Sequence, residues 1–341
     1  MLNIDRLYEA VAARGHVCVG LDTLPDYIPN GQRRLAASDA EAVLAYNRAF
    51  VDATLDIAAC YKVQIAFYES MGISGFQIYS KTLQYIHQKK GLAIADIKRG
   101  DIADTAVHYA KAHFEGEFEA DFVTLSPLMG MDSIEPWFSY AKDKGKGAFI
   151  LVRTSNKGMR DFEYLELKEN SGPGISGQGQ TAGSPSDISH RAGRSHYRFY
   201  HAIGDKLMEL ADVCRGNCGY GAFGAVVGCT EREEAAEIRS MYPDLFFLIP
   251  GYGTQGGAAD DAVLFLREGN GGVVNASRSI LRAWSTELKN SGKNSGGDDV
   301  IDAAFAAEAG RRAAIEMRDA IRKAVTEKQA AAAAAPEGNI G

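Results

Sequence analysis

The sequence predicts an α/β chain folded as one closed parallel barrel of eight β/α units, the TIM-barrel class, and three observations carry that prediction. Eight short apolar runs alternate with helical segments along the 341 residues. Most of these runs are continuously apolar, as strands buried on both faces are. The length suits a single barrel, since α/β barrels extend from roughly 200 to more than 400 residues with their insertions. An open doubly wound sheet shares the rhythm and is the second architecture that fits.

The composition is that of a globular protein, with 46% hydrophobic and 24% charged residues. The net charge of −7 argues against broad binding to nucleic acid or a membrane surface. An anionic substrate would then need a local cluster of donors. No apolar run is long enough to span a bilayer and the N-terminus lacks a signal-peptide pattern, so a cytoplasmic enzyme is expected. Of the cysteines Cys18, Cys60, Cys214, Cys218 and Cys229, three fall in apolar, strand-like contexts. Cys214 and Cys218 have no second Cys/His pair at metal-finger spacing, and no metal site is expected.

Taken in order, Asn3 to Arg14 has helical periodicity and stops at Gly15. His16 to Leu21 reads as the first strand, ending in Asp22. Ser38-Asp39-Ala40-Glu41 is a capping box opening a helix to about Ala58. Tyr61 to Phe67 reads as strand two, with Lys62, Gln64 and Ala66 on one face, and Ser74 to Lys90 as a helix. Lys62 is unusual on so apolar a strand. It is either a functional ammonium or a strand-end lysine reaching solvent. Leu92 begins strand three, whose helix runs to about Phe114. Asp121 to Ser126 is strand four, Asp132 to Lys144 its helix, and Gly147 to Arg153 strand five. Residues 168–196 are rich in Gly, Ser, Pro and Gln and predict a flexible insertion after strand five, not a domain boundary. Tyr197 to Ala211 resumes as helix. Ala222 to Gly228, Leu245 to Ile249 and Gly272 to Asn275 are strands six to eight, separated by helices Glu231 to Met241 and Ala258 to Arg267. The last helix starts near Arg278, breaks at Ser291 to Gly297, and resumes from Val300 to about Lys328. Residues 329–341 are expected to be a disordered tail, and 1–341 a single domain.

Two stretches carry chemistry. The first is Asp96-Ile97-Lys98-Arg99-Gly100-Asp101 with Thr105 beyond it. Strand alternation puts Asp96 and Lys98 on one side, where opposed charges are costly to bury unless they pair or do chemistry. Gly100 is expected to allow a sharp turn, with Asp101 opening a helix. A structural ion pair, with Asp101 and Asp104 as helix-capping charges, accounts for the same residues. The second is Pro250-Gly251-Tyr252-Gly253-Thr254-Gln255-Gly256-Gly257, followed one strand later by Ser277-Arg278. It contains GxGxxG, but late in the chain and without an acidic residue ending the next strand, which argues against a dinucleotide fold. A glycine loop offering backbone donors to a phosphate, with Arg278 as charged fork, fits better and sits where many barrels bind phosphate.

With both ends in place, the chain resembles the orotidine 5'-phosphate decarboxylase family, in its longer, type 2-like branch. The resemblance rests on Asp96-x-Lys98-x-x-Asp101-Ile102 with the intervening Arg99-Gly100. It extends through Val19-Gly20-Leu21-Asp22, Lys62-Val63-Gln64, Ser126-Pro127, Thr154-Ser155-Asn156, Gly228-Cys229-Thr230, Pro250 to Gly257 and Ser277-Arg278. Ser126 stands where the family pattern leads one to expect Asn. Tyr252 and Thr254 vary inside the glycine loop, and the 168–196 insertion is not part of the common pattern.

The resemblance implies decarboxylation of orotidine 5'-monophosphate to UMP, the last step of de novo pyrimidine biosynthesis, without metal or cofactor. It implies an alternating network of Lys62, Asp96, Lys98 and Asp101, with Lys98 as proton donor. It implies a homodimer in which Asp101 and Thr105 act in the partner's site. Asp22 and Lys62 would hold ribose hydroxyls, and Ser155 and Gln255 the pyrimidine. Gly253, Gly256, Gly257 and Arg278 would grip the phosphate. Two alternatives remain at this point: a Mg-dependent sugar-phosphate decarboxylase or synthase of the same barrel superfamily, and a non-catalytic barrel that binds nucleotide or a partner protein.

Overall fold

The protein is described by a computed structural model over residues 1–167, 197–253, 257–290 and 302–334. Eight parallel strands close in sequence order: β1 (Val17–Gly20), β2 (Cys60–Gln64), β3 (Ala93–Arg99), β4 (Phe122–Leu125), β5 (Gly147–Arg153), β6 (Phe223–Val227), β7 (Phe247–Ile249) and β8 (Gly272–Ala276). The pairing of Val17 with Val274 and Cys18 with Asn275 joins β8 to β1, so the sheet is a barrel and not an open one. The helices among the described residues are α1 (Asn3–Arg14), α2 (Asn30–Leu35), α3 (Asp39–Thr54), α4 (Ile65–Glu69), α5 (Gly72–Gln88), α6 (Ala103–Phe114), α7 (Phe138–Lys144) and α8 (Met159–Phe162). They continue with α9 (Phe199–Ala211), α10 (Arg232–Met241), α11 (Ala259–Ala262), α12 (Arg278–Leu281), α13 (Ala283–Asn290) and α14 (Ala303–Ala334).

Strand alternation divides the core into two layers. Val17, Val19, Val63, Ala93, Ala95 and Val123 point outward and pack beneath the helices. Cys18, Cys60, Ile94, Phe122, Phe149 and Val273 point inward, where Ile4, Leu7 and Val11 of α1 join them. The first helix therefore plugs the N-terminal end of the barrel. Two residues further along β2, β3, β4 and β8 the inward positions become Lys62, Asp96, Thr124 and Asn275. The C-terminal end is thus floored with polar groups. This is the end at which barrels of this class carry their sites.

Several local expectations are corrected. Strand two ends at Gln64, not Phe67, because the chain turns at once into α4 and the Gln64 carboxamide oxygen accepts the Ala66 N–H at 3.3 Å. Ala66 therefore does not share a strand face with Lys62. The helix expected over Asp132 to Lys144 is two 3-10 turns, Met131–Ser133 and Glu135–Trp137, before α7. Pro136 lacks the N–H that a continuous helix would need there. The helix expected over Ala258 to Arg267 is α11 followed by a 3-10 turn, Val263–Phe265. The tail expected from residue 329 is helical as far as Ala334, since α14 runs 32 residues. Its buried stripe, Ala306, Ala309, Gly310, Ala314, Met317 and Ile321, follows helical spacing. The expected insertion at 168–196 and the residues after Ala334 lie outside the described residues.

Candidate active site

The site grows from Asp96, an inward residue of β3. One carboxylate oxygen, Oδ2, accepts Lys62 Nζ of β2 at 2.9 Å. The other, Oδ1, accepts Lys98 Nζ at 2.6 Å and the Thr124 hydroxyl of β4 at 2.8 Å. Lys62 reaches on to Asp22, just past β1, at 3.1 Å. The result is a row of alternating charge, Asp22–Lys62–Asp96–Lys98, across three neighbouring strands. The side chains of Lys62 and Asp96 are each 7% exposed, whereas that of Lys98 is 47% exposed. Burial alone would raise the Asp96 carboxyl, but the Lys62 and Lys98 ammonium groups outweigh it and hold the group well below the usual carboxylate range. Burial alone would likewise lower Lys62, but Asp22 and Asp96 push it upward and keep it charged.

Lys98 has a backbone φ of +45°, in the left-handed region. For a side chain with a Cβ this costs about 1–2 kcal/mol. The cause is a register shift. Ala95 pairs with Val123 and Arg99 with Leu125, so β3 advances four residues while β4 advances two. The turn expected at Gly100 is therefore made elsewhere, at Lys98 and at Ala103, whose φ is +50°. Gly100 is needed for closeness instead, since a Cβ there would meet the Ser126 carbonyl oxygen at 2.8 Å.

Two adjoining cavities open on this row. One, of about 270 Å³, is lined by Asp22, Lys62, Asp96, Tyr252 and Arg278. The other, of about 180 Å³, is lined by Asp96, Lys98, Thr124, Thr154, Ser155 and Asn156. Lys62, Asp96, Pro250 and Asn275 border both, so they form one cleft with two arms. A larger hollow of about 820 Å³ lies behind Arg278, between α13 and α14, but none of Lys62, Asp96 and Lys98 reaches it. Size alone does not locate the chemistry.

The loop after β5 is held from behind. Glu163 accepts both the N–H and the hydroxyl of Thr154 at 2.8 Å. The fully buried Arg153 guanidinium donates to the Gly228 carbonyl. A Cβ on Gly228 would lie 2.7 Å from that of Ser155, so only glycine lets the end of β6 approach this loop. Arg278 is exposed, and its guanidinium makes no ion pair with a described residue. Gly253 and Gly257 pair within their own loop: the Gly253 N–H donates to Gly257 at 2.9 Å and the Gly257 N–H to Gly251 at 3.2 Å. Those two donors are therefore not turned outward in this conformation. Gln255 and Gly256 lie outside the described residues.

With this geometry established, comparison with known proteins is informative. A family model described as "Orotidine 5'-phosphate decarboxylase / HUMPS family" matches residues 15–172. The chain is 48% identical over 320 residues to an orotidine 5'-phosphate decarboxylase of Clostridium acetobutylicum, covering 94% of this chain and 99% of that one. It is 50% identical over 284 residues to the Clostridium kluyveri protein of the same name, covering 83% and 89%. The chain belongs to the orotidine 5'-phosphate decarboxylase family. Among solved structures, the OMP decarboxylase of Leishmania donovani superposes with a TM-score of 0.67 at 27% identity, over 96% of this chain and 100% of that one.

Against the family pattern, one chain brings together Asp22, Lys62, Asp96, Lys98 and Ser155, with Arg278 at the far arm. It does not bring in Asp101 or Thr105. The Asp101 carboxylate accepts the N–H of Ile102 at 2.9 Å instead of capping α6, and Thr105 is exposed on that helix. In one chain the fourth charge of the row is thus Asp22, where the expected network had Asp101. Four residues were given no individual role by sequence reasoning. They are Thr124 and Asn275 in the floor, Asn156 in the wall and Glu163 behind it. The first two left a signal: each is a lone polar residue spaced by two from an inward apolar one.

Proposed function

We propose that Lys98 is the proton donor in the decarboxylation of orotidine 5'-monophosphate to UMP, the carboxy-lyase reaction of this chain's family. The observation that carries the assignment is Asp96 held ionised between two ammonium groups, with Lys98 the one exposed to the cleft. The substrate carboxylate lies near Asp96. Like charges about 4 Å apart repel by about 4 kcal/mol at an effective dielectric of about 20, and loss of neutral carbon dioxide relieves this. Since each ~1.4 kcal/mol gives only tenfold in rate, repulsion is a partial contribution. The bond from the ring carbon to the carboxylate breaks and its electron pair stays on the ring. The Lys98 ammonium stabilises that charge and then delivers a proton to it, leaving a neutral amine that solvent reprotonates.

Asp22 and Lys62 hold ribose hydroxyls, Ser155 and Gln255 the pyrimidine, and Arg278 with Gly253, Gly256 and Gly257 the phosphate. For Gly253 and Gly257 to contribute their N–H groups, their bonds within the loop must open around the anion, and remote binding energy of this kind can lower a barrier elsewhere. A homodimer supplies Asp101 and Thr105 from the partner. In support, both stand outside their own chain's cleft, and the nearby Ile102, Val107, Leu128 and Met129 are 42–75% exposed. A cytoplasmic enzyme is the expected setting; no described helix is long and apolar enough to cross a membrane.

A spectroscopic turnover assay tests the assignment. The chain should consume orotidine 5'-monophosphate at a rate unchanged by chelator, and Lys98→Ala should lose at least about 10³-fold in kcat while still binding UMP. Substantial turnover by that variant removes the proton-donor role. Chelator sensitivity would favour the Mg-dependent sister reaction.

A further inference from the structure

Thr124 is the polar side chain of an otherwise apolar strand, and at 1% exposure it is sealed from solvent. Its hydroxyl is used in both senses. It donates to Asp96 Oδ1 at 2.8 Å and accepts the backbone N–H of Lys98 at 3.0 Å. We infer that Thr124 is a positioning residue that sets the Lys98 ammonium against Asp96, an inference that rests on the proton-donor assignment above.

Between the Ala95–Val123 and Arg99–Leu125 pairs, β3 carries two more residues than β4. The N–H of Lys98 falls in this bulge and finds its partner in the Thr124 side chain instead of in the strand ladder. A buried N–H left without a partner would favour a different backbone path. Accepting that N–H commits the hydroxyl proton to its other neighbour, Asp96. One oxygen therefore stabilises the left-handed turn that aims the lysine and also fixes the plane of the carboxylate it faces. Lys62 holds the opposite edge of that carboxylate at 2.9 Å. Valine would keep the shape and burial of Thr124 while supplying neither bond, and serine would keep both bonds and lose a methyl.

The test uses the full chain with Thr124→Val and Thr124→Ser, reading kcat, KM and the Kd for UMP. Thr124→Val should lower kcat by about 10- to 100-fold and move the UMP Kd by less than about threefold, because positioning matters in the transition state more than in the product complex. Thr124→Ser should restore kcat to within about fivefold of the parent. A Thr124→Val kcat within about twofold of the parent overturns the inference. So does a parallel loss of UMP affinity, which marks a ligand contact or a general packing defect, and so does a serine variant as slow as the valine one. If Thr124→Val does not fold, Thr124→Ala is read by the same criteria. Lys98→Ala separates the two layers: turnover retained there removes the donor assignment, whereas a dead Lys98→Ala beside an unimpaired Thr124→Val removes only the role of the threonine.

Discussion

The two arms of the cleft are built differently. At the charged arm the four charges are already partnered: Asp96 accepts from two lysines and a threonine, and Lys62 bridges two carboxylates. These groups stand on or just beyond adjacent strands, whose spacing the barrel sets. At the far arm Arg278 is exposed and makes no ion pair with a described residue, and the described ends of the glycine loop bond to each other. The difference teaches that the groups proposed to act on the ring are preorganised by the barrel, whereas those proposed to hold the phosphate are left to respond to it. Preorganised charge stabilises a transition state without reorganisation at the moment of reaction, and a responsive loop can couple binding to closure.

The largest effect expected from breaking this contrast concerns completeness of the charged arm. Lys98→Ala and Asp101→Ala chains should each be inactive alone. Mixed after subunit exchange, they should recover up to about a quarter of parental activity, because about half the dimers are mixed and each holds one intact site. No recovery despite demonstrated exchange would place Asp101 outside a shared site.

Next comes stability. Asp96→Ala should cost about 3–5 kcal/mol by leaving Lys62 buried with only Asp22, measured by denaturant unfolding, whereas Arg278→Ala should change it by less than about 0.5 kcal/mol. Equal costs would contradict the contrast between the arms. The pH dependence has a definite sign. The Asp96 carboxyl is depressed on folding, so its contribution is present above the unfolded carboxylate range and is lost as pH falls below it. Lys62 is raised on folding, so its contribution is present below the unfolded lysine value and is lost as pH rises above that. The pair should therefore give a flat contribution through neutral pH that falls at both extremes, and Asp96→Asn should flatten the acid limb.

The smallest effect belongs to the responsive arm. Arg278→Ala should raise KM by about 10- to 100-fold, the worth of a charge-assisted contact, with a lesser change in kcat. An unchanged KM would remove Arg278 from the phosphate arm.

Much of this was legible in the linear chain because period and spacing are local properties. Continuously apolar runs separated by helical segments define a parallel α/β fold, and the spacing of Asp96-x-Lys98 predicts two opposed charges on one strand face. Pro136 breaking its helix was legible in principle. The early end of β2 at Gln64 was not, since Ile65 and Phe67 suit a strand as well as a helix.

By itself, then, the sequence determined the barrel class, the residues able to carry charge into its interior, and the family to which they belong. Tertiary structure alone decided which groups meet. Closure of β8 on β1 brings Asn275 to the same floor as Lys62 and Asp96. The mismatch between β3 and β4 sends Lys98 through a left-handed turn and gives its N–H to Thr124. Asp101 stands outside the cleft of its own chain, its carboxylate accepting the Ile102 N–H. The physical reason is that alternation is written in the order of residues, whereas register depends on the packing of two strands far apart in sequence. A shift of register between them redirects a side chain without changing a letter.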